Sequence, residues 1–313
     1  MTDKLLVWAP ERPERGSFRV SDGIELATIP RPIAEHPDLT RVEMLIPPFG
    51  SRAVLEAVPA MTELRLVQTL ESGVDWLLPA LPDHVTLCNA KGAHDAAVAE
   101  WIVAVVLAMQ RRLPDHLIAQ RERRWRDVVG GAEWQPPYSG DLEGSKVLIV
   151  GYGSIGEATE RRLKPFDVAV TRVARGRRPG VSPVSELPRL IPSADVVIIL
   201  LPLTPSTAGL IDADLMGRMK QGALLVNAGR GGVVDQHALL DLLRQGRLRA
   251  ALDVTDPEPL PSDDPLWTTP NVLLTPHMAG DTPRRFRYAW QLAGEQAKRL
   301  RDGLPLANVV SRS

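Results

Sequence analysis

The sequence predicts an α/β fold of two doubly wound parallel sheets, one domain inserted in the other. Three observations predict it. A buried strand, KVLIV at 146–150, runs directly into Gly151-Tyr152-Gly153-Ser154-Ile155-Gly156 and a helix-prone stretch. From there to residue 275, short apolar strands alternate with helical segments, the pattern of parallel pairing. The glycine turn also stands at mid-chain, so the residues before it need a fold of their own, and 313 residues leave room for two cores.

In the first part, LLVWA near residue 5, VEMLIP near 42, LRLVQTL near 64 and VTLCN near 85 read as strands, and Ser51 to Ala60 as a helix. Ala93 to Arg112 has no Gly or Pro, and Arg111 and Arg112 in its last turn complement a helix dipole. It is apolar on nearly every side, which predicts burial between layers or domains, as a helix crossing from the first domain to the second. Leu113 to Glu143 reads as a polar connection carrying Trp125, Trp134 and Tyr138, and its basic run 121–126 as a solvated face or a subunit contact. After the glycine turn, strands are expected at 168–173, 194–201, 223–227, 248–254 and 271–275, with helices at 212–219 and 235–245. Pro283 to Asp302 is a last long helix that carries the chain back to the first domain. The expected domains are therefore 1–96 with 286–313, and 97–285.

Composition excludes several classes. A net charge of −1 gives no global attraction to nucleic acid or membrane. No stretch reaches the ~18 apolar residues of a membrane span, and no signal-peptide pattern opens the chain, so a cytoplasmic protein is expected. The 28 prolines are scattered through loops and form no tract. The single cysteine, Cys88, leaves no intramolecular disulfide and no cysteine-cluster metal site, and reads as a buried thiol. No metal is expected.

A strand, a G-x-G-x-x-G turn and a helix start form a pyrophosphate cradle: the glycines permit a tight turn and close approach, and the helix N-terminus offers N–H groups to the anion. Ligands of such sheets bind beyond the carboxyl ends of the strands. Three polar clusters fall there: Asn227-Ala228-Gly229-Arg230-Gly231-Gly232, Thr255-Asp256-Pro257-Glu258, and Pro276-His277-Met278-Ala279-Gly280. Together they supply a cation for a carboxylate and a histidine that a glutamate can support.

GYGSIG, LPLTPST at 201–207, NAGRGGVVD at 227–235, LDVTDPEPLP at 252–261 and TPHMAG at 275–280 resemble, in order, the D-isomer-specific 2-hydroxyacid dehydrogenases, and the resemblance covers about residues 65 to 285. It implies two Rossmann-like or flavodoxin-like domains, the cofactor domain inserted in the substrate domain, and commonly a homodimer. It implies that Arg230 binds the substrate carboxylate and polarises its carbonyl, that His277 is the general acid/base, and that Glu258 is the carboxylate partner orienting its ring. It places substrate-carboxylate donors at Ser72, Gly73 and Val74, with Glu71 an unexpected acidic neighbour that shapes specificity or points away. It implies cofactor contacts at Gly151, Gly153, Ser154, Ile155, Gly156, Ala174, Arg175, Arg177, Arg178, Leu201, Pro202, Thr207, Ala228, Gly229, Arg230, Asp253, His277, Ala279 and Gly280. Trp134 is an arm residue that reaches toward a pocket, and the pocket wall lies near 47–50 and 70–76.

The strand after the glycine helix normally ends in a carboxylate that holds the ribose hydroxyls and repels a 2′-phosphate. Here Ala174 fills that slot, followed by Arg175, Gly176, Arg177 and Arg178. NADP(H) is therefore the expected cofactor, with Arg175 and either Arg177 or Arg178 on the 2′-phosphate, and NAD(H) the second choice. The expected reaction is hydride transfer between NAD(P)H and a small 2-oxo or D-2-hydroxy acid, of the glyoxylate/hydroxypyruvate reductase type. The alternatives are a dinucleotide-sensing corepressor-like protein without turnover, and a formate or phosphite dehydrogenase. His94 is read as structural, with Asp95 capping the helix that follows, and His36, His84, His116 and His237 as lacking partners.

Overall fold

A computed structural model describes residues 4–74, 76–125 and 139–311. It divides into two compact units, Met1–His94 with Asp281–Ser313, and Asp95–Gly280. The cuts lie at 94/95 and 280/281, against the expected 96/97 and 285/286. Each falls just ahead of a helix, so each helix stays whole within one unit.

Unit 1 begins with β1 (Leu5–Ala9), β2 (Ile24–Thr28), β3 (Met44–Leu45), α1 (Arg52–Ala57), β4 (Leu66–Gln68) and β5 (Thr86–Cys88). The strands form one parallel sheet in the order β2-β1-β3-β4-β5. Every residue of β1 is buried, as its unbroken apolar run requires of a central strand. Alternation then sorts its side chains: Leu5, Val7 and Ala9 join one core layer, Leu6 and Trp8 the other, beside Val54 and Ala57 of α1. Strand β2 has no counterpart in the sequence reading. It pairs on one side only, and IELAT is half polar, as an edge strand can be.

Unit 2 opens with α2 (Asp95–Gln110) and α3 (Leu113–Arg121), then β6 (Lys146–Val150), α4 (Ser154–Leu163), β7 (Ala169–Ala174), β8 (Ser182–Pro183), α5 (Leu187–Leu190) and β9 (Val196–Ile199). It continues with α6 (Ala213–Gly217), β10 (Ala223–Asn227), α7 (Gln236–Arg244), β11 (Leu248–Leu252) and β12 (Val272–Leu274). All seven strands are parallel, in the order β12-β11-β10-β9-β6-β7-β8. The chain winds outward both ways from β6, so the glycine turn that follows β6 lies at the switch point where such sheets hold ligands. Val147 and Ile149 face the core layer that contains α2, and Leu148 and Val150 face the opposite layer.

Two expectations change here. The segment after Arg112 is not all connection: 113–121 is a helix, with Pro114 in its first turn, where a missing N–H costs nothing. Helix α2 is not buried all round, since Glu100 and Ala104 face solvent. Its end is held from β11: Arg249 donates to Met109 O (2.9 Å) and to the Gln110 side chain at Oε1 (2.9 Å), and outside the helix to Gly222 O (2.9 Å). Arg126, Trp134 and Tyr138 lie outside the described residues. Among the described residues, no helix is long and apolar enough to cross a membrane.

The chain then returns to unit 1 as α8 (Pro283–Arg301), capped by Thr282. Ala289, Trp290, Ala293, Ala297 and Leu300 complete the core layer that holds Leu5, Val7 and Ala9. Gln296, fully buried, donates to Gln68 Oε1 (3.2 Å) and Ala307 O (2.7 Å), and Val309 bridges to Cys88. Cys88 is buried, as expected, and burial pushes its thiol pKa up to about 11.

Candidate active site

The carboxyl ends of β10, β11 and β12 bring three clusters together within unit 2. After β10, Asn227 is buried and folds the turn around itself: its Oδ1 accepts from Gly229 N (3.0 Å) and its Nδ2 donates to Arg230 O (3.0 Å). Arg230 emerges half-buried, with Nη1 donating to Gly229 O (2.8 Å). At Gly231 a Cβ would come within 1.9 Å of Thr255 O, so only glycine lets this turn lie against the loop after β11. That loop carries Glu258, with cis peptides at Asp256–Pro257 and Glu258–Pro259. After β12, His277 has φ +52, and its N–H donates to Asp253 O (2.8 Å).

His277 Nδ1 and Glu258 Oε1 are 2.5 Å apart, a charge-assisted pair that leaves Nε2 as the ring nitrogen open to a ligand. Both side chains are about two-fifths exposed (42% and 40%), so a small molecule can reach them. Asp253, only 3% exposed, holds the His277 turn: it accepts from Thr275 Oγ1 (2.6 Å), Met278 N (2.8 Å) and Ala279 N (2.9 Å). From the sequence, Asp253 is expected among the cofactor contacts, and Asn227 has no expected role of its own.

At the other end of the site, Gly151 has φ +97, and a Cβ there would meet the Leu200 carbonyl carbon at 2.6 Å. Its N–H and that of Tyr152 donate to Val173 O (2.9 and 2.8 Å), which ties the turn to the end of β7. No side chain caps α4, whose N-cap is Gly153, so the first-turn N–H groups of Ser154, Ile155 and Gly156 are available to a phosphate. This uncapped cradle fits a dinucleotide pyrophosphate. Leu201 is buried, and Thr207 Oγ1 donates to Pro202 O (2.6 Å), closing the LPLTPST turn. Ala174 ends β7; of the arginines after it, Arg177 pairs with Glu186, Arg178 donates to Tyr152 O, and Arg175 is exposed.

Ser72, Gly73 and Val74 lie in unit 1, after β4. Their N–H groups donate to no protein group among the described residues. Glu71 turns inward: its Oε2 is buried with no hydrogen-bond partner, and burial raises its carboxyl pKa against the pull of Arg285. His94 is structural, with Nε2 2.9 Å from Leu70 O, and burial lowers its pKa to about 4. Asp95 opens α2 and accepts from Ser154 Oγ (3.1 Å). His36 does have partners: Asp38 N donates to its Nδ1 (3.2 Å), and Trp8 meets it edge-on at 5.3 Å.

Residues 103–279 match the family described as D-isomer specific 2-hydroxyacid dehydrogenase, NAD binding domain. A glyoxylate reductase from Thermofilum pendens is 35% identical over 238 residues, 72% of this chain and 69% of that protein. The D-3-phosphoglycerate dehydrogenase of Methanocaldococcus jannaschii is 30% identical over 281 residues; they are 86% of this chain, which spans only about half (52%) of that relative's length. An NADPH-dependent glyoxylate/hydroxypyruvate reductase from Sinorhizobium meliloti, solved with NADP and sulfate, superposes with a TM-score of 0.82 at 27% identity, covering 99% of this chain and 98% of that one. With its glycine turn at the switch point and its His–Glu pair at the strand ends, this chain belongs to the D-isomer specific 2-hydroxyacid dehydrogenase family.

Proposed function

We propose that the protein reduces a small 2-oxo acid to the D-2-hydroxy acid, as a glyoxylate/hydroxypyruvate-type reductase that prefers NADPH. The observation that carries the reading is the 2.5 Å His277–Glu258 pair beside Arg230 on adjacent strand ends. Bound NADPH supplies the hydride. Arg230 holds the planar carboxylate and draws electron density from the neighbouring carbonyl. His277, oriented by Glu258, gives its Nε2 proton to the carbonyl oxygen as charge develops there, and takes it back in the reverse direction.

The cofactor preference rests on Ala174 standing where a ribose-binding carboxylate is usual, with Arg175 and Arg178 beyond it. The Sinorhizobium relative's use of NADPH supports it. A second copy of this chain is the proposed partner, since α3 leaves Leu117 and Ile118 more than half exposed (57% and 52%).

Steady-state kinetics on glyoxylate, hydroxypyruvate, pyruvate and phenylpyruvate, each with NADPH and NADH, test the reading. Turnover is expected to be best on one of the first two, with kcat/KM at least about tenfold higher for NADPH. No turnover on any of the four, or a higher kcat/KM with NADH, refutes it. Sedimentation of the same preparation reads the dimer, and a monomer at micromolar concentration excludes it.

A further inference from the structure

The second residue of the glycine turn does more than fill a variable position. Tyr152 Oη donates to Glu160 Oε2 (2.6 Å), one turn or more along α4. Arg172 of β7 donates to the same Glu160 oxygen through Nε (2.7 Å), and its Nη2 bonds the other. The charge of Glu160 is thus taken up by Arg172. Two guanidinium groups lie near the Tyr152 ring, Arg172 Cζ at 5.6 Å and Arg178 Cζ at 5.8 Å from its centroid, within cation–π range. Arg178 also donates to the Tyr152 carbonyl. The third glycine makes room for the ring: a Cβ at Gly156 would approach Tyr152 Cδ2 at 3.1 Å.

Because Tyr152 N is bound to Val173 O, this assembly stands next to Ala174, where the adenosine ribose is read in such folds. Arg177 is drawn away to Glu186, which also holds Arg189. We propose that Tyr152, braced by Glu160 and Arg172, is a positioning residue that presets Arg178 as the ligand of the cofactor 2′-phosphate. The inference rests on the NADPH preference proposed above. It makes the tyrosine ring a determinant of cofactor choice, although the ring need not touch the phosphate.

Dissociation constants for NADPH and NADH, read from nicotinamide fluorescence, test it without turnover. The wild type is expected to bind NADPH more tightly. Arg178→Ala weakens NADPH at least about tenfold and NADH less than about twofold, because the lost contact is a charge-assisted one. Tyr152→Leu weakens NADPH alone by about fivefold, and Tyr152→Phe, which keeps the ring, by about twofold. Should Tyr152→Leu not fold, Glu160→Gln is the substitute, with a loss of about threefold on NADPH only. A wild type without NADPH preference overturns the underlying reading. A wild type with that preference overturns only the tyrosine's role if its variants leave NADPH affinity intact or weaken both cofactors equally.

Discussion

Asp253 shows how much of the site lies beneath its surface. Its carboxylate is spent on three donors of the turn that presents His277, so in the proposed reaction it acts through that histidine. His277→Ala is expected to lower kcat by about 10²–10⁴, the usual contribution of a general acid/base, and to leave stability nearly unchanged because the ring is exposed. Asp253→Asn removes a buried charge and replaces an acceptor with a donor. It is expected to cost about 2 kcal/mol of stability as well as about tenfold in kcat. Equal stability of the two variants in urea would contradict this division. The groups proposed to react each sit in a contiguous motif: Arg230, Glu258 and His277 are read straight from NAGRG, TDPEP and TPHMAG. Asn227 opens the first of these motifs and Asp253 stands two residues before the second, but their partners, main-chain groups and the Thr275 hydroxyl, belong to turns whose geometry no motif spells out. His36 was misread for a related reason, since Trp8 reaches it only through the folded sheet.

Among elements, the buried strands were the easiest to anticipate: LLVWA is apolar throughout, and KVLIV and ALLVN are apolar but for one end residue each, because both faces of each strand are covered. The edge strand β2 and the helix α3 escaped notice because each buries one face at most, so little hydrophobic pattern marks them. Helix α2 illustrates a different limit. Arg111 and Arg112 stood ready to close its C-terminus, yet Arg249, far along the chain, bonds its penultimate carbonyl, that of Met109. Burial disfavours the charge of Arg249 and lowers its pKa, so the guanidinium depends on these acceptors. Arg249→Met, similar in length but without donors, is expected to destabilise unit 2 by about 2–3 kcal/mol. A urea midpoint within error of the wild type would show that the cap contributes nothing.

The molecule as a whole is expected to be acid-sensitive through His94. Burial holds its pKa near 4, below the ordinary 6.5. The unfolded chain takes up this proton near pH 6.5 and the folded chain only near pH 4, so the unfolded state binds more protons between those values. Stability is therefore fully present above pH 6.5 and falls as the pH drops through the window, by up to about 3 kcal/mol. His94→Gln keeps an N–H for Leu70 O and is expected to flatten that part of the acid-unfolding curve. A variant that loses stability as steeply as the wild type would exclude His94 as the cause. The two-unit plan was legible from the mid-chain glycine turn and the last helix. The exact cuts were not, because they follow helix starts and not composition.

The return of α8 to unit 1 also sets an order of events during synthesis. The first 94 residues leave the ribosome with the Leu5, Val7 and Ala9 layer bare, because Trp290, Ala293 and Ala297 have not yet been made. Unit 2 is continuous in sequence and can close as soon as β12 emerges. The enclosing unit is finished last, and a nascent chain halted near residue 280 carries a completed insert beside an open apolar face.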